Sequence, residues 1–460
     1  MHVGMNGVVD LLQAALHEGC DPGAVALIAR AGGAMLGPAS STAYALSDLE
    51  PLVDARAALL AAEGAEASRI LPVCLEPDAD GVLTLLALWR LGVTPAPLNP
   101  RLTERETAHA RAALEGRAGE GAQVVLWTSG TSGRPRGVAL SYGALSAHVA
   151  AVRRRLGLDP LRDTWLGSLS LAHVGGLMLA FRSILTGSRL VAFGAVTPEE
   201  TWGLVRGDLL PTGLSTPVTH ASLVPTQLKR LLDATGDAAP PPSFRCLLLG
   251  GAHTPVDLLA RARAAGWPVA LTYGMTEMCS QVATATPGQV EAKPGCVGPP
   301  LDGVELRIAE TEEVLVRGPS LAAGYLDGTP LLDADGWYHT GDLGRLDEAG
   351  DLWITGRRSD RIISGGVNVD AAEVEDVLRG HPSVVDACVA GVPDEEWGEV
   401  VAAWVVPVEG EFDVDEVDAW LRDRLAGPKR PRRWVVESDL PLNANGKVDR
   451  AMVRALLGGS

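Results

Sequence analysis

Short apolar runs rich in β-branched residues alternate with Ala- and Leu-rich stretches along most of this chain, and that alternation constrains its fold more than any other feature. Residues 25–29, 70–75, 124–127, 246–249 and 269–272 read as buried strands, and 49–62 and 256–265 have helical composition. Strands that alternate with helices build largely parallel sheets, because a parallel pair needs a long crossover and a helix supplies it. From residue 304 the strands shorten and the turns close up, at 304–308, 314–317 and 352–355. After Gly356 a separate pattern begins, with a helix at 371–378, strands at 384–389 and 400–406, and an amphipathic stretch at 414–425. The expectation is an α/β chain with a large multi-sheet N-terminal domain over 1–358 and a small α+β C-terminal domain over 359–460.

Composition removes several function classes. At 460 residues and 47% hydrophobic, the chain can fill two or more cores. The longest apolar candidate for a membrane helix, 82–93, is short and carries Arg90, so no membrane insertion is expected. The amino terminus has no basic region followed by an apolar stretch, which points to a cytoplasmic protein without a signal peptide. A net charge of −18 argues against nucleic acid and anionic membranes as partners. Any anionic substrate must therefore be held by a local cluster of donors. The six cysteines are scattered with no C-x-x-C pair, so neither zinc nor a disulfide framework is indicated.

Glycine-rich turns follow several of the strands, where open α/β sheets place ligands. The strand at 124–127 empties into TSGTSGRPRG at 128–137. Its glycines let backbone approach a polyphosphate, its hydroxyls and amides donate, and Arg134 and Arg136 add charge. The spacing is not that of a Walker loop, and an ordinary Ser/Gly-rich surface loop would read similarly. The strand at 269–272 leads into YGMTE at 273–277, where an aromatic ring, a hydroxyl and a carboxylate suit a base, a phosphate and a hard cation. Gly250, Gly251 and Ala252 offer a backbone edge for a flat ring. In GWYHTGDLG at 336–344, Asp342 can accept both ribose hydroxyls, although an Asx-turn would also explain it. GRRSDRIISGGVNVDAAEVE follows from Gly356, and PLNANGKVDR occupies 441–450.

In this order and spacing the motifs resemble the adenylate-forming superfamily of acyl- and aryl-CoA ligases, luciferases and peptide-synthetase adenylation domains. The resemblance runs from about Tyr44 to the end. It implies a mobile C-terminal domain and an ATP-dependent acid–thiol ligase using Mg²⁺ and coenzyme A. Thr128, Ser129, Gly130, Thr131, Ser132, Gly133 and Arg136 would then hold the β- and γ-phosphates. Thr276 would bind the α-phosphate and Glu277 the magnesium. Gly250, Gly251, Ala252, Tyr273 and Gly274 would frame the adenine, and Asp342 and Arg357 the ribose. Ser359 falls at the hinge position, Gly365 and Gly366 would line the pantetheine tunnel, and Lys447 would be the catalytic lysine of adenylation. Only four of the 39 basic residues are lysine, yet the position that demands one has it. The phosphate loop departs from the family pattern in carrying Pro135-Arg136-Gly137 where P-K-G is usual.

For the acid, LAHVGGLMLAFRSILTG at 171–187 and TYGMTEMCSQVAT with EAKPGCVGPPLDG resemble o-succinylbenzoate–CoA ligases of menaquinone biosynthesis. His173, Gly175 and Gly176 would then lie by the acyl pocket, with Ser280 and Gln281 as polar donors. Arg182 could neutralise a second carboxylate, or be an exposed helix arginine. The alternatives are a ligase for another aryl or medium-chain acid and, from a different class, a non-catalytic adenylate-binding protein. The intact Thr276, Glu277, Asp342, Arg357 and Lys447 weigh against the latter. A homodimer is left open.

Overall fold

The computed structural model describes residues 8–30, 41–119, 121–129, 135–211, 217–408, 412–443 and 448–459. By packing, the chain divides into a larger unit (1–254, 258–306 and 316–338) and a smaller one (255–257, 307–315 and 339–460).

An eight-stranded sheet organises the larger unit. Its spatial order is Ser280–Ala285, Val269–Met275, Cys246–Leu249, His220–Leu223, Thr164–Leu166, Arg189–Ala192, Val25–Arg30, Ser41–Ala45. The interior pairs are parallel, as the alternation predicts, and the two edge pairs are antiparallel. Successive side chains on a strand point to opposite faces, so a sheet covered on both sides needs continuous apolar runs. Leu27, Trp165, Leu190 and Leu248 enter one core; their neighbours Ile28, Leu166, Val191 and Leu249 enter the other. The helix Val174–Thr186 lies in the first core and ends on Gly187 in the left-handed conformation. The apolar run at 82–93 falls in the helix Ala79–Arg90, capped by Asp78 at Gly81 N–H (2.9 Å). Arg90 pairs there with Asp10 at 2.9 Å, and no described helix is long and apolar enough to cross a membrane.

The strand read at 124–127 is part of Ala122–Ser129, and it does not join the parallel sheet. It pairs antiparallel with Pro135–Ser141, which in turn pairs with Gly324–Tyr325. Only residues 130–134 separate the first two strands, too few for a crossover, so a hairpin is the one connection available.

The smaller unit has its own five-stranded sheet, with Val367–Asp370, Arg361–Ser364, Gly398–Pro407 and Val384–Asp394 in order and Arg433–Val436 beside Gly398–Pro407. Helices Ala371–Arg379 and Val414–Arg422 cover one face through Val374, Leu378, Val417 and Leu421. Helix Arg450–Gly458 covers the other through Val453 and Leu457. Residues 358–360, where the sequence pattern placed a boundary, form a short helical turn within this unit.

Candidate functional site

On the larger unit, the expected nucleotide residues gather at the C-terminal ends of adjacent strands. Leu249 and Leu271 are register partners, so Gly250 meets Thr272; a Cβ on Gly250 would lie 2.6 Å from the Thr272 methyl. The strand Val269–Met275 runs on past its parallel partner and pairs antiparallel with Ser280–Ala285, joining Tyr273 to Ala283, Gly274 to Gln281 and Met275 to Ser280. A tight helical turn at Thr276–Met278 reverses the chain between them, with Cys279 N–H donating to the Thr276 carbonyl at 3.0 Å. Tyr273, Gly274, Thr276, Glu277, Ser280 and Gln281 are thereby placed within one reversal, beside the exposed Gly251 and Ala252.

Glu277 is buried, and its carboxylate accepts a hydrogen bond from the Tyr325 hydroxyl at 3.0 Å. That uses the single proton of Tyr325, so Tyr338, 3.3 Å from the Tyr325 oxygen, donates to it. Burial raises both phenol pKa values, which keeps the two hydroxyls protonated as donors. The ring of Tyr325 carries the Arg136 guanidinium 4.6 Å from its centroid, and Arg136 also pairs with Asp327 at 3.1 Å. Tyr325 therefore joins the hairpin that bears the glycine-rich loop to the turn that bears Glu277. Sequence reading missed it, because a two-residue strand has no periodicity to mark it. Thr128 sits at the end of the hairpin strand opposite Arg136, its hydroxyl 3.5 Å from the Arg136 carbonyl. Ser129 ends the same strand; Gly130, Thr131, Ser132 and Gly133 lie outside the described residues.

The acyl-side residues lie on and around the helix Val174–Thr186. His173 is its N-cap residue, with Nε2 3.5 Å from Asn99 Nδ2. Gly176 must be glycine: a Cβ there would strike the carbonyls of Leu169 and Ser170. Gly175 has more room, with Leu169 Cδ1 at 3.4 Å. Gln281 is buried; its backbone N–H donates to His148 Nε2 at 3.0 Å and its side chain to Thr284 at 2.9 Å. His148 is pushed down to about 3 by burial and then by the charge of Arg182, so its ring is neutral. With Nε2 accepting, the proton sits on Nδ1, which has no hydrogen-bond partner among the described residues.

Arg182 is not an exposed helix arginine. It is 2% exposed, with its guanidinium 4.1 Å over the Trp165 ring, which stacks on His220 at 4.7 Å. Burial lowers its pKa to about 10, which still leaves it charged at neutral pH. Its Nε and Nη2 have no hydrogen-bond partner among the described residues. A buried cation with unused donors is costly.

On the smaller unit, Asp342 and Arg357 are register partners on neighbouring strands and form an ion pair at 3.3 Å. Asp342 lies inside the strand Tyr338–Leu346 and is not an Asx-turn residue. Ser359 sits in the turn Arg358–Asp360, its hydroxyl donating to Asp360 at 3.0 Å. Gly365 and Gly366, with φ of +57° and +79°, make the two-residue turn of a hairpin between Ser364 and Val367. Glycine takes both positions without strain, and a Cβ on Gly365 would lie 2.5 Å from the Trp397 ring. Lys447 lies outside the described residues.

No group of three or more His, Cys, Asp or Glu side chains converges among the described residues. A cation held through the single carboxylate of Glu277 must bring most of its own oxygen ligands. Mg²⁺ carried on a polyphosphate does so, and this donor set fits it.

The chain matches the family model of the AMP-binding enzyme over residues 115–326 and that of the AMP-binding enzyme C-terminal domain over 373–447. It is 39% identical over 350 residues to a 2-succinylbenzoate–CoA ligase of Bacillus mycoides, covering 74% of this chain and 71% of the relative. A Bacillus anthracis protein of the same name is 39% identical over 348 residues, covering 73% and 70%. Among solved structures, the o-succinylbenzoate CoA synthetase (MenE) of Bacillus subtilis in complex with the acyl-adenylate intermediate OSB-AMP superposes with a TM-score of 0.84. It is 29% identical and covers 97% of both chains. The same synthetase in complex with ATP and magnesium ion gives 0.83 at 29% identity, covering 97% of this chain and 98% of that one.

Proposed function

We infer the reaction from one premise: the chain belongs to the AMP-binding enzyme family and, within it, to the 2-succinylbenzoate–CoA ligases. It is an AMP-forming acid–thiol ligase that converts o-succinylbenzoate to o-succinylbenzoyl-CoA with ATP, Mg²⁺ and coenzyme A. The product belongs in menaquinone biosynthesis, and the setting is cytoplasmic. A homodimer is compatible with this reading, and nucleic acid has no part in it.

The chemistry follows from what a carboxylate cannot do alone. It is a poor electrophile, and at neutral pH it is repelled by a triphosphate. In the first half-reaction a carboxylate oxygen attacks the α-phosphorus, pyrophosphate leaves, and the acyl adenylate forms. Thr276 donates to the α-phosphate and Arg136 places charge on the departing phosphates. Tyr325 fixes the Glu277 carboxylate at its position, while magnesium supplies charge neutralisation when bound. The base lies against Gly250, Gly251, Ala252, Tyr273 and Gly274, and the ribose is held by Asp342 and Arg357. In the second half-reaction the thiol of coenzyme A attacks the acyl carbon and AMP leaves. A thiol with pKa of about 8.5 has enough thiolate to make a dedicated base unnecessary. We assign Lys447 to the first step and the Gly365–Gly366 turn to the second, exchanged by rotation of 359–460 about Ser359.

Arg182 carries the choice of acid. o-Succinylbenzoate has a second carboxylate beyond the one activated, and a buried guanidinium with two unpartnered nitrogens suits it. His148 and the Ser280–Gln281 strand lie in the same buried region, with His148 bonded to Gln281 and within the field of Arg182. Mass spectrometry of the products from o-succinylbenzoate, ATP, Mg²⁺ and coenzyme A tests the reading. It requires o-succinylbenzoyl-CoA and AMP in equal amounts; AMP with free acid only, or no AMP, would count against it.

A further inference from the structure

We propose that Arg450 is a positioning residue for adenylation, holding the start of the helix that follows Lys447 to the buried frame of the smaller unit and to the hinge turn. The proposal rests on the reading of Lys447 as the adenylation lysine.

Arg450 opens the helix Arg450–Gly458. Its Nη1 and Nη2 meet the two oxygens of Glu375 at 2.7 and 2.8 Å, a two-point fork. Glu375 is 1% exposed and also accepts the Val389 N–H at 2.8 Å, so the fork is anchored at once to helix Ala371–Arg379 and strand Val384–Asp394. Arg450 Nη1 donates to the Val389 carbonyl at 3.1 Å. Its Nε lies 3.5 Å from Asp360, in the turn that includes Ser359. Upstream, Leu442 and Val448 form an antiparallel bridge, and Asp449 N–H donates to the Pro441 carbonyl at 2.8 Å. The chain is therefore tied on both flanks of residues 443–447, and Lys447 lies three residues, at most about 10 Å of chain, from the fork.

Charge balance alone does not call for this fork. Glu375 already has Arg379 within 3.6 Å, and one carboxylate needs one cation. A second guanidinium held by four oxygens on three elements instead fixes an orientation, which a lysine with its single rotating charge would not. The contact to Asp360 places the hinge turn and the start of helix Arg450–Gly458, three residues after Lys447, on the same guanidinium.

The two half-reactions separate this role from a merely structural one. Adenylation is read by pyrophosphate exchange, and thioester formation from synthetic o-succinylbenzoyl adenylate and coenzyme A. Arg450→Met should lower kcat for adenylation by about 100-fold, the cost of misplacing a reacting group by roughly 1 Å, with KM for acid and ATP nearly unchanged. Thioester formation should stay within about threefold of wild type, and Arg450→Lys should recover part of the loss. Asp360→Asn keeps the Glu375 fork and should cost adenylation alone about threefold to tenfold; it decides the matter if Arg450→Met does not fold. Equal loss in both half-reactions, or no effect on adenylation, overturns the proposal. Lys447→Ala is measured in parallel: if it keeps adenylation, the lysine assignment itself falls, a result distinct from failure at Arg450.

Discussion

Replacing Arg182 with leucine separates the cost of holding a cation in the core from its use in recognition. Burial lowers the Arg182 pKa from the ordinary arginine value to about 10. That difference corresponds to about 3 kcal/mol against the charged form in the folded chain. The folded-state value is the lower one, so this destabilisation is present in full below about pH 10 and is relieved only as pH rises above that toward the ordinary arginine value. Arg182→Leu removes it and forfeits the contact over Trp165, worth about 1–2 kcal/mol. Stability of the free protein should hold level or rise. Substrate reverses the balance, because truncating one partner of a buried charge pair costs about 3–5 kcal/mol. At the lower end, kcat/KM for o-succinylbenzoate falls on the order of 100-fold, while for benzoate, which lacks the distal carboxylate, it changes by less than about threefold. Pyrophosphate release with each acid, and a thermal melt, are the assays. An equal fall with both acids, no fall with o-succinylbenzoate, or a clear loss of thermal stability would contradict this role of Arg182.

Lys447→Ala should abolish adenylation while leaving thioester formation from supplied acyl adenylate largely intact; equal loss in both steps contradicts its role. Gly366→Val, at φ +79°, should do the reverse, with Gly366→Asn, which tolerates that backbone, as the control. Unimpaired thioester formation in the valine variant removes the tunnel assignment. Burial pushes His148 and His220 down to about 3 from 6.5. Each is neutral when folded and protonates first in the unfolded chain, so its contribution is complete above about pH 6.5 and is lost as pH falls toward 3. Urea unfolding between pH 7 and 4 should show that decline, shallower in His148→Gln; a flat profile in the wild type contradicts it.

The elements that were legible in the sequence are those with strong local signatures. Continuous apolar strands such as Cys246–Leu249 need both faces buried, and that need is written in their composition. The reversal from Tyr273 to Gln281 follows a strand whose end is marked by glycine and a polar run. What escaped depends on contacts remote in sequence. Tyr325 acts through Glu277, 48 residues away, and its strand is too short to carry a pattern. The burial of Arg182 had a signal that went unread. Its helix is apolar on all sides, and such a helix is enclosed, whatever charge it carries. The fork between Glu375 and Arg450 spans 75 residues and joins two ordinary amphipathic helices, so neither sequence alone announces it.

The most direct test of the central claim is ATP-dependent pyrophosphate release across a panel of o-succinylbenzoate, benzoate, 4-coumarate and octanoate, with and without coenzyme A. A strong preference in kcat/KM for o-succinylbenzoate is expected, with its thioester formed only when coenzyme A is present. Preference for another acid would keep the ligase and discard the substrate; silence across the panel would contradict catalysis itself and return the chain to an adenylate-binding role.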